Sequence, residues 1–186
     1  LRQLTFVFFC ISSVVAAGLF SLITPFICDI WLSPAYELGW GTAVLCIVVL
    51  LIKIMGLPLS LMMGVTGLFE KEKNAGASSA VLNLIVSLAL VRPYGMTGVL
   101  LGTLLSYLLQ ICYRYVIFFR DFLEMKEEAI RYARDLGEYT AVMILEVAVT
   151  RRIIPLIYGN GGMTPFIFCF VLCILVPLAL NGVFFG

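Results

Sequence analysis

Long apolar runs separated by short polar breaks make up most of this chain, and the runs have the lengths of membrane-crossing helices. The first, residues 6–28, is long enough for a hydrocarbon core, which takes about 20 residues to cross. Pro25 falls near its end, where a kink costs little. The connection over residues 29–37 holds Trp31 and Tyr36, aromatic residues of the kind that anchor at a membrane interface. The second run, residues 38–69, exceeds one crossing, so it must tilt, kink at Pro58 or continue past the membrane surface. Glu70-Lys71-Glu72-Lys73-Asn74 forms the next polar break. A short third run over 77–91 and a fourth over 98–118 are joined through Pro93 and Gly95, which read as a tight turn between two helices.

Charges of both signs crowd into residues 120–138. Phe122, Leu123, Ala129, Ile130, Ala133 and Leu136 recur there at helical spacing, the pattern of an amphipathic helix lying at a membrane surface. A fifth run, residues 139–157, includes Glu146, Arg151, Arg152 and Pro155. Gly159-Asn160-Gly161-Gly162 makes a turn, and the sixth run continues to about residue 185. The pattern predicts an all-α polytopic membrane protein with six transmembrane helices and one amphipathic interfacial helix. Three parts follow from it: a four-helix part over 1–118, a cytoplasmic amphipathic segment over 119–138 and a terminal helix pair over 139–186.

Composition supports this class. Of 186 residues, 62% are hydrophobic and 12% charged, against about half and a quarter in soluble domains. The mean hydropathy is +1.11. A net charge of +1 points to neither nucleic acid nor an acidic substrate. The placement of charge says more. With the N-terminus inside, the inner side carries Arg2, Lys71, Lys73, Arg114, Arg120, Lys126, Arg131 and Arg134, eight residues, against Arg92, Arg151 and Arg152, three, outside. That asymmetry obeys the positive-inside rule and puts both termini in the cytoplasm.

The absence of histidine removes the usual proton shuttle and the commonest metal ligand. The six cysteines have no zinc-type spacing and read as buried small hydrophobes; Cys169 and Cys173 share a helix face, but two thiols make a poor metal site. No metal or cofactor is implied. No phosphate-binding glycine loop or catalytic constellation occurs, the outer connections are short, and an enzyme is not expected.

Lys53 is the sharpest candidate for function. It lies about 14 residues into the second run, roughly 21 Å along a helix and near the bilayer centre. A lysine there costs at least about 2.5–3.5 kcal/mol and rarely faces lipid. It reads either as a cation lining a polar cavity, able to meet an anionic head group, or as a lysine paired internally or snorkelling. Glu146 is a candidate coupling carboxylate, a partner for Lys53, or a near-surface acid. Arg114 reads as a phosphate contact or a positive-inside anchor. Asn83 and Gln110 read as hydrogen-bonding each other, or a ligand, across helices. Two stripes of small residues, Gly56/Ser60/Gly64 and Gly98/Gly102/Ser106, let backbones approach closely, as helix packing in lipid requires.

The order of these features resembles a family. Pro25-Phe26-Ile27 is followed by Ile30-Trp31-Leu32 and Tyr36, a long span, the charged turn Glu70-Lys71-Glu72-Lys73, a span with Asn83, and Tyr94-Gly95-Met96-Thr97-Gly98 running on through Ser106. This arrangement is similar to the C-terminal part of bacterial polysaccharide (O-antigen type) flippases of the multidrug/oligosaccharidyl-lipid/polysaccharide (MOP) exporter superfamily. The likeness covers roughly residues 1–118, and the last two spans only loosely. It implies part of a MATE/MOP-type helical lobe with a cationic cavity. It also implies movement of an undecaprenyl-pyrophosphate-linked oligosaccharide across the bacterial inner membrane by alternating access. Such exporters have two lobes, so the chain, which opens on Leu1, corresponds to a piece lacking the N-terminal lobe. Two other readings stand beside this one. One is a multidrug or cation antiporter of the same superfamily, with Glu146 as its only interior acid. The other is a non-transporting membrane subunit or inert remnant.

Overall fold

A computed structural model describes residues 1–31, 39–122, 126–159 and 162–185. Among these residues the chain is helix and turn, with no strand. Five α-helices follow in order: α1 (Arg2–Pro25), α2 (Trp40–Val65), α3 (Phe69–Val116), α4 (Lys126–Tyr158) and α5 (Met163–Phe185). A π-helical stretch continues α1 from Phe26 to Trp31, and another continues α3 from Ile117 to Phe122. The first begins directly after Pro25, whose missing N–H disturbs the regular hydrogen-bond ladder. Most of the connection expected at 29–37, including Tyr36, lies outside the described residues, as do Leu123, Asn160 and Gly161.

Four helical stretches are long and apolar enough to cross a membrane: Arg2–Cys28, Trp40–Val65, Phe69–Arg120 and Met163–Phe185. Large apolar side chains on their outer faces are exposed, among them Leu84, Ile85, Leu88, Phe168, Phe170 and Leu175. Apolar surface on that scale is what a lipid-facing protein presents. α4 falls outside this set, because Glu146, Arg151 and Arg152 interrupt its apolar half.

Three boundaries differ from those the sequence suggests. The second run ends early, at a turn over residues 66–68. There Gly67 adopts φ 77°, Leu68 N–H reaches the Met63 carbonyl at 3.1 Å and Gly67 N–H reaches that of Gly64 at 3.3 Å. This is the Schellman arrangement that closes a helix on a left-handed glycine, here with Leu68 packed near Met63. Glu70 to Asn74 is consequently not a break but the start of α3, where Glu70 and Glu72 suit the positive end of the helix dipole. Finally, residues 126–138 of the amphipathic segment run on into the fifth run as one unbroken helix, α4. Its inward stripe is Ala129, Tyr132 and Leu136, while Ile130 and Ala133 are exposed.

The expected turn at Pro93 and Gly95 does form. Gly95 takes φ 56°, ψ −133° and breaks α3 into two halves that fold back on each other. Contacts between the halves pair Leu90 with Gly98, Ser87 with Gly102 and Glu72 with Arg114. A Cβ on Gly98 would collide with the Leu90 carbonyl, and one on Gly102 with the Ser87 hydroxyl. The stripe therefore packs the hairpin of α3 together.

The described chain divides into two compact units: residues 1–8 with 40–136, and residues 9–39 with 137–186. In the first, α2 runs alongside the second half of α3, joined by the Thr42–Thr97 hydroxyl contact at 3.1 Å. A core of Leu59, Met63, Ile117, Phe118, Phe119 and Tyr132 closes one end. Burial pushes the Tyr132 phenol above its ordinary range. In the second, Leu22, Ile154, Cys169 and Cys173 form the core. The two cysteines are thus packing residues, and all six in the chain are free thiols.

Candidate functional site

The first unit contains a cleft of about 310 Å³ between α2 and the second half of α3. Ile52, Lys53, Gly56, Leu57 and Ser60 line it from α2, and Tyr107, Gln110, Ile111 and Arg114 from α3. Gly56 permits the close approach: a Cβ there would lie 3.0 Å from the Ile111 side chain. No lining residue is acidic, and the polar groups fall on one wall each: Lys53 and Ser60 on α2, Tyr107, Gln110 and Arg114 on α3.

Lys53 stands at the middle of the 26-residue α2. Its Nζ lies 5.8 Å from the centre of the Tyr107 ring, within the range where a cation is attracted by an aromatic face. It thus has an aromatic neighbour across the cleft. About 10 Å further along the helix, Arg114 is held by Glu72. Its Nε donates to the two carboxylate oxygens at 3.0 and 2.9 Å, and its NH2 nitrogen also donates to Oε1. Ser60 adds a third donor to the same carboxylate at 3.2 Å. Arg114 and Glu72 are largely buried, so this is a clamped, charge-assisted pair. Arg114 therefore contributes one edge of the cleft with its charge already balanced, and Lys53 supplies the cleft's net positive charge.

The other residues singled out in the sequence go elsewhere. Asn83 and Gln110 do not meet. The Asn83 carbonyl oxygen accepts from Ser87 at 2.9 Å and from Thr103 at 3.5 Å inside the α3 hairpin, whereas Gln110 lines the cleft. Asn83 is thereby occupied in holding two helices together. In the first small-residue stripe, Gly56 and Ser60 serve the cleft, while Gly64 has nothing within 4 Å of a would-be Cβ. Gly98, Gly102 and Ser106 are buried in the hairpin. Glu146 belongs to the second unit and is buried there.

Sequence reasoning overlooked Glu72 and Tyr107. Glu72 reads as one acid in a charged break, and only the back-folding of α3 brings it across from Arg114, 42 residues on. Tyr107 is one aromatic among many in an apolar run. Its spacing of one turn from Gln110–Ile111 and two from Arg114 places all of them on one helix face, which is the signal that could have singled it out. Comparison with known protein families, with curated proteins and with solved structures finds no match.

Proposed function

We propose that this chain is part of a membrane transporter that carries a lipid-linked oligosaccharide across the bacterial inner membrane by alternating access, and that the α2/α3 cleft receives an anionic part of that cargo. The observation that carries the reading is Lys53. An ammonium group at the midpoint of an apolar helix is retained against its insertion cost where it serves a polar path, and this one opens onto a cleft with Ser60, Tyr107 and Gln110. Phosphate or pyrophosphate oxygens would take hydrogen bonds from Lys53, Tyr107 and Gln110, while the Ser60 hydroxyl is already given to Glu72. The resemblance of residues 1–118 to O-antigen-type flippases supports the same class of cargo. In this reading the chain crosses the membrane six times, with both halves of α3 and the apolar part of α4 each counted as spans and both termini cytoplasmic. A second lobe completes the transport path.

The test is surface-glycan export in cells that depend on the intact transporter. Lys53→Gln should reduce export at least tenfold, and Lys53→Arg should retain much of it. Export unchanged in Lys53→Gln, with the protein present in the membrane, would reject the cleft as the cargo site. One observation favours the cation-antiporter reading instead, the buried Glu146 of the second unit, and export that persists without Lys53 would give that reading the lead.

A further inference from the structure

The cleft between α2 and the second half of α3 is built on two levels. The two helices run in the same direction: Thr42 meets Thr97, Gly56 lies against Ile111, and Leu59 and Met63 share a core with Ile117 and Phe118. Lys53 and Tyr107 face each other at one level. Ser60 and Arg114 stand two turns further along their helices, about 10 Å away, and form the other. Gln110 lies between the two on the α3 wall.

The levels differ in what occupies them. At Lys53 the lining offers an aromatic face and no acid. At the other level the Arg114 guanidinium and the Ser60 hydroxyl both turn to one carboxylate, that of Glu72. Glu72 is not a lining residue. It comes from the first turn of the opposite arm of the α3 hairpin, and its oxygens arrive where two lining side chains present their donors. The planar fork of an arginine receives a carboxylate and a phosphate with the same bidentate geometry. Glu72 thus takes the bonds that a phosphate at this level would take.

Two features make this carboxylate displaceable. The Glu72 side chain is 23% exposed, against 12% for Arg114, so water reaches it where it stands. Its place in the first turn of α3 also suits a negative charge that has lost its partner, because the helix dipole is positive there. A diphosphate has two anionic centres in series. With one held at Lys53, the other meets Arg114 at a high effective concentration and carries more charge than the single carboxylate it competes with. The flexible stem of Lys53 and the long side chain of Arg114 narrow the interval between the levels, and Gln110 offers a donor within it.

We infer that Glu72 is an internal competitor of the ligand: its carboxylate holds Arg114 and Ser60 in reserve until a diphosphate in the cleft displaces it and recruits them. Arg114 is then a second binding residue of the cleft, and the return of Glu72 to it favours release. The inference rests on the cleft being the cargo site, and it adds a residue behind the lining that sets how tightly that site holds its ligand.

The test uses the full chain in phosphatidylcholine nanodiscs, with radioactive inorganic diphosphate as the probe of equilibrium binding. Lys53→Gln should weaken binding about tenfold or more, and Glu72→Gln should tighten it about tenfold. Combined, the two should restore much of the binding that Lys53→Gln loses, because Arg114 is then free. Glu72→Gln/Arg114→Gln should bind no tighter than the wild type. Glu72→Asp keeps the charge but draws the carboxylate back from Arg114, so it should also tighten binding. It separates release of Arg114 from a general loss of negative charge, and it decides the matter if Glu72→Gln fails to fold. The gain is expected equally with farnesyl diphosphate, and the tighter of the two probes tells a lipid head group from a free diphosphate. Equal binding by the wild type and Lys53→Gln would reject the cleft itself and this role with it. Loss in Lys53→Gln with no gain from either Glu72 substitution would overturn the role of Glu72 alone.

Discussion

The arginine at the edge of the cleft shows how a neighbour decides what a charged residue does. Arg114, taken alone, suits phosphate, yet three donors converge on Glu72 from Arg114 and Ser60. Charge-assisted bonds of this kind contribute about 1.5–3 kcal/mol each when buried, and removing one partner strands the other. Arg114→Ala should therefore destabilise the purified chain more than the double variant Arg114→Ala/Glu72→Ala does. Thermal or denaturant unfolding of the set should give a coupling of about 1.5–3 kcal/mol. A coupling near zero would show that the pair is not formed in the folded protein. Lys53, with the Tyr107 ring across the cleft and no acidic lining residue, should contribute far less to stability, which is why its substitution is informative about cargo.

Two helix-ending devices organise the first unit, and both depend on glycine in the left-handed region. Gly67 ends α2 at φ 77° and Gly95 folds α3 at φ 56°. A side chain at such a φ is strained by about 1 kcal/mol or more, whereas Gly64, one turn earlier, is helical and faces open space. Gly67→Ala should accordingly lower stability by about 1 kcal/mol, and Gly64→Ala should be neutral or slightly stabilising, because alanine favours helix. Unfolding of the two variants side by side checks this, and equal effects would contradict the Schellman turn. At Gly102 space, not φ, is limiting. A Cβ there would lie 2.9 Å from the Ser87 main-chain nitrogen as well as against its hydroxyl, so the hairpin of α3 has no room to yield.

At the scale of the whole molecule, the exposed apolar surface and the two buried cores divide the cysteines into classes. Cys112 is exposed on α3, and Cys169 and Cys173 are buried in the core of the second unit. Labelling the folded chain in detergent with a membrane-permeant maleimide should modify Cys112 first and leave Cys169 and Cys173 protected until denaturant is added. Simultaneous labelling of all three would mean that the second core does not form. The grouping of α1 beyond Phe8 with the far part of α4 and with α5 also has a consequence for function. The cleft and the buried acid belong to separate compact units, so each can be examined by its own substitutions.

The class of this protein and most of its helical segments are legible in the linear pattern. Burial in lipid demands runs of apolar residues of a fixed length, and that demand is local in sequence. The turn at Pro93–Gly95 is legible for the same reason, since a helix break depends on the residues at the break. What only the tertiary structure decided is which polar groups meet. Asn83 and Gln110 look alike as polar residues in apolar helices, yet one is bonded within the α3 hairpin and the other opens onto the cleft. Glu72 looks like part of a solvated break until the hairpin carries it to Arg114. Ser13 and Glu146 are 133 residues apart and stand side by side only because α1 and α4 pack together. Helix formation is set by neighbours along the chain, but the pairing of buried polar groups is set by neighbours in space, where the penalty for an unmatched charge is largest.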